Sequence, residues 1–310
     1  MTDKRYLCGI VAAGTFFLFL AGCAGAPIKH PNLYKAKEHL SDAQELLSQN
    51  HPLQAIESVK EALQRHRLAN DFRGTIEDMN RLAHLYSIAG NGEKASLWIR
   101  KAQVLESVSN HPVLNIETLL LGAETAISQK QSLPWLAEAS KEIAGLHGGE
   151  TEEKDRLTAR YQQVMGLSLS DQKEYSKAID SFTEALSLDR KRKDFLSVAT
   201  DLANLGRNQY LLKRYDEALS SFREAYSLDL ERRNFTGEAF DLEGISLVQA
   251  QKGRYKDAAK SMIEASGIQM GLGRSDAAKK DISFVQSVIS RLDRSGESSL
   301  KALQHWFDDE

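Results

Sequence analysis

The chain is poor in the residues that staple or punctuate a fold. It has two cysteines, Cys8 and Cys23, both near the N-terminus. Residues 24–310 therefore offer no disulfide framework, no thiolate metal site and no cysteine nucleophile. With 5 prolines and 20 glycines in 310 residues, neither a turn-dense all-β fold nor a disordered chain is indicated. Charge of one sign is also lacking. A formal net charge of −3 is too close to neutral to suggest a nucleic-acid binder. No phosphate-binding Gly-rich loop, His-Glu-x-x-His pair or Gly-x-Ser-x-Gly elbow occurs. The eight histidines are scattered, none at metal-ligand spacing, so no cofactor, metal or catalytic residue is expected. Gly271-x-Gly273 reads as a helix end.

What is abundant is helix-forming: Ala, Leu, Glu, Lys, Gln and Arg dominate. The N-terminus has a different character. Lys4 and Arg5 precede an apolar stretch, Tyr6 to Leu20, broken only by Thr15 and small residues. A run of about 16–17 residues is short for spanning a bilayer and has the length of a secretory signal. It ends in Leu20-Ala21-Gly22-Cys23, which resembles the lipobox of bacterial lipoproteins. The resemblance implies cleavage after residue 22 and acylation of Cys23. The lack of aspartate at Ala24 implies the outer membrane, facing the periplasm. Residues 23–32 then read as the lipidated cysteine and a linker.

The body is a repeat. Tyr175, Tyr215 and Tyr255 are 40 residues apart, as are Ala178, Ala218 and Ala258. Residues 175–190 match 215–230 at nine of sixteen positions. The apolar set Tyr175, Ala178, Ile179, Phe182, Ala185 and Leu186 is a helical stripe. A second stripe, with Leu202, Leu205, Gly206 and Leu212, precedes the next copy. Each unit is thus two amphipathic helices. Upstream, Ala55, Val59 and Ala62 keep the phase, and so do Ala95, Ile99 and Ala102. A degenerate unit lies around Ala137 and Ala144. Pro52, Pro112 and Pro134 fall near helix starts, and Asp194 and Asn234 are N-cap candidates.

Gly206, Tyr215, Ala218, Phe222 and Ala225 together resemble the signature of the tetratricopeptide repeat family, in its long-helix form. The usual period is 34. The usual terminal proline is replaced by Arg190 and Leu230, which fits helices that run on. The resemblance implies an all-α fold, a right-handed α-solenoid superhelix of about six helix pairs over residues 33–272. A capping helix would span 273–294 and an amphipathic acidic tail 295–310.

The same resemblance implies function. Such arrays hold an extended or helical protein segment in a concave groove lined by the first helix of each pair. Carried over by position, the groove candidates are Asn80, Arg81, His84, Arg160, Gln163, Asn204, Arg207, Asn208 and Glu243. The expected role is a lipid-anchored scaffold or adaptor in secretion, pilus or envelope assembly. Its oligomeric state is left open. Two alternatives remain at this point. One is a structural component holding peptidoglycan or lipid through the basic run Arg190–Lys193, which otherwise complements a helix dipole. The other is an enzyme with a site hidden in the degenerate unit. His66, between Arg65 and Arg67, reads as a dipole-complementing cation. Leu300, Leu303, Trp306 and Phe307 form a stripe that either docks back on the capping helix or meets a partner.

Overall fold

A computed structural model describes residues 30–49, 51–146 and 151–295. The leader, Cys23, Ala24 and the tail beyond Ser295 lie outside the described residues. The first described helix begins at Pro31, so the end of the expected linker is already helical.

Thirteen α-helices occur among the described residues, with no strand. They are α1 (Pro31–Ser48), α2 (Pro52–Leu68), α3 (Phe72–Ile88), α4 (Gly92–Ser109), α5 (Pro112–Thr125), α6 (Ser132–Gly145) and α7 (Thr151–Asp171). There follow α8 (Tyr175–Arg192), α9 (Phe195–Leu211), α10 (Tyr215–Arg232), α11 (Phe235–Gln251), α12 (Tyr255–Gly271) and α13 (Ser275–Ser295). A short 3-10 turn, Ile127–Gln129, leads into α6. The helices form six pairs and one further helix, as the 40-residue period predicts. The chain divides into two compact units, one ending at Lys193 and the other beginning at Asp194. The first holds four pairs, α1–α8. The second holds two pairs and α13.

Local chemistry starts and stops the helices. Pro31, Pro52 and Pro112 occupy first turns, where a missing N–H costs nothing. Pro134 lies two residues deeper, third in α6. Asp71, Asp194 and Asn234 accept hydrogen bonds from the amides of Gly74, Ser197 and Gly237. The turns share one device. Asn70, Gly90, Asn110 and Lys130 have positive φ, and so do Lys173, Lys193, Lys213, Arg233, Gly253 and Gly273. Within each series they are 20 residues apart. The 40-residue repeat is therefore two 20-residue half-repeats, each ended by a left-handed residue. Lysine and arginine there cost roughly 1–2 kcal/mol each, which packing must offset.

Packing repeats in the same way. Ala178, Ala218 and Ala258 are fully buried, as are Ala55 and Ala95. Large rings fill the space that glycines leave on the facing helix. A Cβ on Gly166 would stand 2.8 Å from the Phe182 ring, and one on Gly122 would stand 2.5 Å from Trp135. Phe222 does more. Its ring abuts both Gly206 of α9 and Gly244 of α11, where a Cβ would come within 3.0 and 2.5 Å. Phe240 meets the same ring edge-on at 6.1 Å between centroids.

Candidate functional site

Within each unit, first helices of successive pairs pack on one another, α9 on α11 in the second. In the first unit α3 lies on α5 and α5 on α7. These contacts carry polar ties rather than only apolar packing. The Asn80 amide donates to Thr118 Oγ1 at 2.9 Å, joining α3 to α5. Arg156 of α7 reaches Glu117 of α5 at 2.5 Å and Glu153 of its own helix at 2.6 Å. Arg160 of α7 pairs with Glu124 of α5. Arg156, Glu117 and Arg160 are each less than one-fifth exposed, so these ties are neither bare surface pairs nor deeply dry ones.

The electrostatics follow from that partial burial. Burial pushes the Glu117 carboxyl up, and Arg156 offsets this only in part. Burial opposes the charge on Arg156, but Glu153 and Glu117 outweigh it and hold the guanidinium firmly charged. Burial pushes the His84 pKa down, with Glu124 and Arg160 near enough to act on it in opposite directions. The His84 Nε2 has no hydrogen-bond partner.

A second set of polar groups lies between helices and repeats with the fold. His66 of α2 bonds Asp78 of α3 at 2.6 Å, and Asp78 also accepts from Arg81 at 2.7 Å. Burial opposes the His66 charge, but Asp78 prevails and its pKa is raised. His66 stands in the last turn of α2, as its place between Arg65 and Arg67 suggests, but it is buried and its charge is met by Asp78. Forty residues on, Glu106 is 5% exposed and pushed up to about 7 by burial. In the second unit Asp229 is pushed up to about 6 by burial, and Asp241 well above the usual range by burial and by Asp229. Neither Asp241 oxygen has a hydrogen-bond partner. Asp281, forty residues further, is pushed up to about 8 by burial and by Glu243.

The expected groove residues separate into three groups. Asn80, Arg81, His84 and Arg160 lie on α3 and α7, with Arg160 and His84 brought together around Glu124. Gln163 and Glu243 are tied to the second helix of their own pairs. Gln163 donates to Asp189 at 3.1 Å, and Glu243 accepts from Gln269 at 2.9 Å. Asn204 and Asn208 are 4% and 1% exposed. The Asn208 amide donates to the Asn204 backbone carbonyl at 2.8 Å, while its Oδ1 has no partner. These two asparagines are core residues of the second unit, and Arg207 beside them is half-buried. Glu117, Glu124 and Arg156, which complete the strip, were not among the sequence candidates. The buried acids did carry a signal, because Asp201, Asp241 and Asp281 are 40 apart.

The architecture defines an all-α helical-repeat protein, a solenoid of the tetratricopeptide type. The tetratricopeptide repeat family matches at residues 157–231. No match is found among curated proteins. Among solved structures, the chain resembles the Cut9–Hcn1 hetero-tetramer of the APC/C, with a TM-score of 0.54 and 20% identity over 82% of this chain. It spans 44% of that chain. It also resembles aspartyl phosphate phosphatase F from Bacillus subtilis, with a TM-score of 0.53 and 16% identity, over 83% of this chain and 70% of that one. A third is a signal-transduction ATPase with a tetratricopeptide repeat sensor from Pyrococcus horikoshii, with a TM-score of 0.50 and 17% identity, over 86% of this chain and 44% of that one. At these identities the likeness is one of fold. Among the described residues no group of His, Cys, Asp and Glu could hold a metal ion, and no helix is long and apolar enough to cross a membrane.

The buried acids make a testable statement about stability. Their folded pKa values are raised, so the folded second unit keeps protons that the unfolded chain has lost. Their contribution is full below about pH 4 and is lost as pH rises through about 6 to 8. Asp281→Asn removes one such proton. Thermal melts should show a shallower loss of stability between pH 5 and pH 8, with a Tm at pH 8 raised by about 2–4 °C. A pH profile identical to the parent's would contradict this reading of Asp281.

Proposed function

We propose that the chain is a non-catalytic scaffold, anchored to the bacterial envelope by an acylated Cys23, that holds a segment of another protein against the first helices of its pairs. The observation that carries this reading is the strip on α3, α5 and α7. Arg156–Glu117 and Arg160–Glu124 tie α7 to α5 through partly buried charged groups, and the fully buried Asn80–Thr118 bond fixes α3 against α5 beneath them. A polar face held rigid before binding loses less entropy when a partner segment settles on it. Its mixed charges suit an extended or helical segment that offers both backbone hydrogen bonds and charged side chains.

The alternatives find less support. In the basic run, Lys191 pairs with Asp155 at 2.6 Å and Arg192 with Asp189 at 2.7 Å. That spends part of the charge an anionic polymer or lipid surface would need. The interior of the degenerate third pair is filled by Leu119, Leu120, Trp135 and Leu136. That packing favours a structural role for the pair.

Two measurements check the two halves of the proposal. The chain is used to capture proteins from detergent-solubilised envelopes, beside an Arg156→Ala/Arg160→Ala variant whose folding is verified by its melt. A specific partner should be retained by the parent and weakened about tenfold or more by the variant. Equal capture by both would remove the strip from the binding face. For the anchor, cells grown with a labelled fatty acid should label the parent and not Cys23→Ser. Equal labelling of the two would rule out acylation at Cys23.

A further inference from the structure

The outward side of α4, in the first unit, has an apolar stripe with no cover. Leu97, Val104 and Val108 are 41%, 71% and 75% exposed. They recur at helical spacing, so they share one side of the helix. With Phe72 of α3 they line a cleft of about 580 Å³. Its rim is basic. Arg67, Arg100 and Lys101 stand around it, and Lys101 lies 4.2 Å from the centre of the Trp98 ring. Arg67 and Arg100 form no ion pair among the described residues. Asp71, the one acid at the cleft, has an oxygen committed to the Gly74 amide at 3.0 Å.

Those features define the occupant's chemistry. Leu97 to Val108 spans about 16 Å of helix axis. A cleft of that length, apolar inside and cationic at the edge, fits three turns of an amphipathic helix with acids beside its apolar side. The chain carries such a segment. Leu300, Leu303, Trp306 and Phe307 have the spacing of one helix face, and Asp308, Asp309 and Glu310 follow directly. Leu300 to Glu310 would span about 15 Å as a helix.

We propose that this cleft receives residues 297–310 of a second copy of the chain. Trp306 and Phe307 cover the valines, and the three acids meet Arg67, Arg100 and Lys101. The cleft belongs to the first unit, and the donated segment follows the last helix of the second. Donor and acceptor are therefore different surfaces, so the contact is head-to-tail and can be repeated from copy to copy. It does not involve the strip on α3, α5 and α7, so its failure leaves the proposed function untouched.

Sedimentation of the full chain under reducing conditions tests this, with two variants. Val104→Glu/Val108→Glu blocks the cleft at two exposed positions, where folding should persist and is checked by circular dichroism. Trp306→Ala/Phe307→Ala disables the segment. The parent should associate increasingly with concentration, and less at high salt. Each variant alone should remain monomeric. Mixed together they should form dimers and nothing larger, because one retains the segment and the other the cleft. A parent that stays monomeric at all concentrations would overturn the proposal, as would either variant associating like the parent.

Discussion

One ring sets the spacing of three helices in the second unit. Phe222 projects from α10 onto Gly206 of α9, within its own pair, and onto Gly244 of α11, in the next pair. A side chain on either glycine would force the ring out, because interiors packed this densely have no slack to absorb it. The ring thus couples the geometry inside a pair to the geometry between pairs. Phe182 on Gly166 and Trp135 on Gly122 repeat the contact within pairs of the first unit. The buried alanines at 178, 218 and 258 let helices approach closely enough for the rings to reach.

Close approach brings polar groups into the interior, and the chain handles them in two ways. Some are paired, as in His66 with Asp78 and Asn80 with Thr118. Others are carboxyls whose burial favours the protonated form, as at Glu106, Asp241 and Asp281. A neutral acid between helices avoids most of the penalty of a buried charge. The same architecture that leaves Arg156 and Arg160 partly exposed beside α5 therefore stores protons elsewhere. Stability and binding draw on different parts of the same repeat.

Much of this was legible in sequence. The 40-residue spacing of Tyr175, Tyr215 and Tyr255 gave the number and type of elements, and Asp194 and Asn234 marked helix starts that the backbone bears out. The site was less legible, for a physical reason. In the second unit α11 is covered by its own partner α12, by the preceding α10 and by the first helix α9. On α11 ten residues of seventeen are buried, so an amphipathic pattern no longer separates groove from core. That is why Asn204 and Asn208, spaced like groove residues, proved to be interior. Glu117 and Arg156 escaped notice because their pairing links residues 39 apart on helices of the degenerate third and fourth pairs. Nothing local in the sequence announces that contact. The Trp135–Gly122 contact was hidden for the same reason, since its spacing of 13 departs from the 16 of Phe182–Gly166 and Phe222–Gly206.

The central claim is that the ring and the glycine specify each other across the helix pair. A double-mutant cycle on Gly206→Ala and Phe222→Leu, followed by urea denaturation, tests it most directly. Each single change should destabilise, the first by crowding the ring and the second by removing it. Together they should cost less than their sum by about 0.5–2 kcal/mol, because the smaller side chain makes room for the methyl group. Strict additivity would contradict the claim and leave the repeat held by its apolar stripes alone.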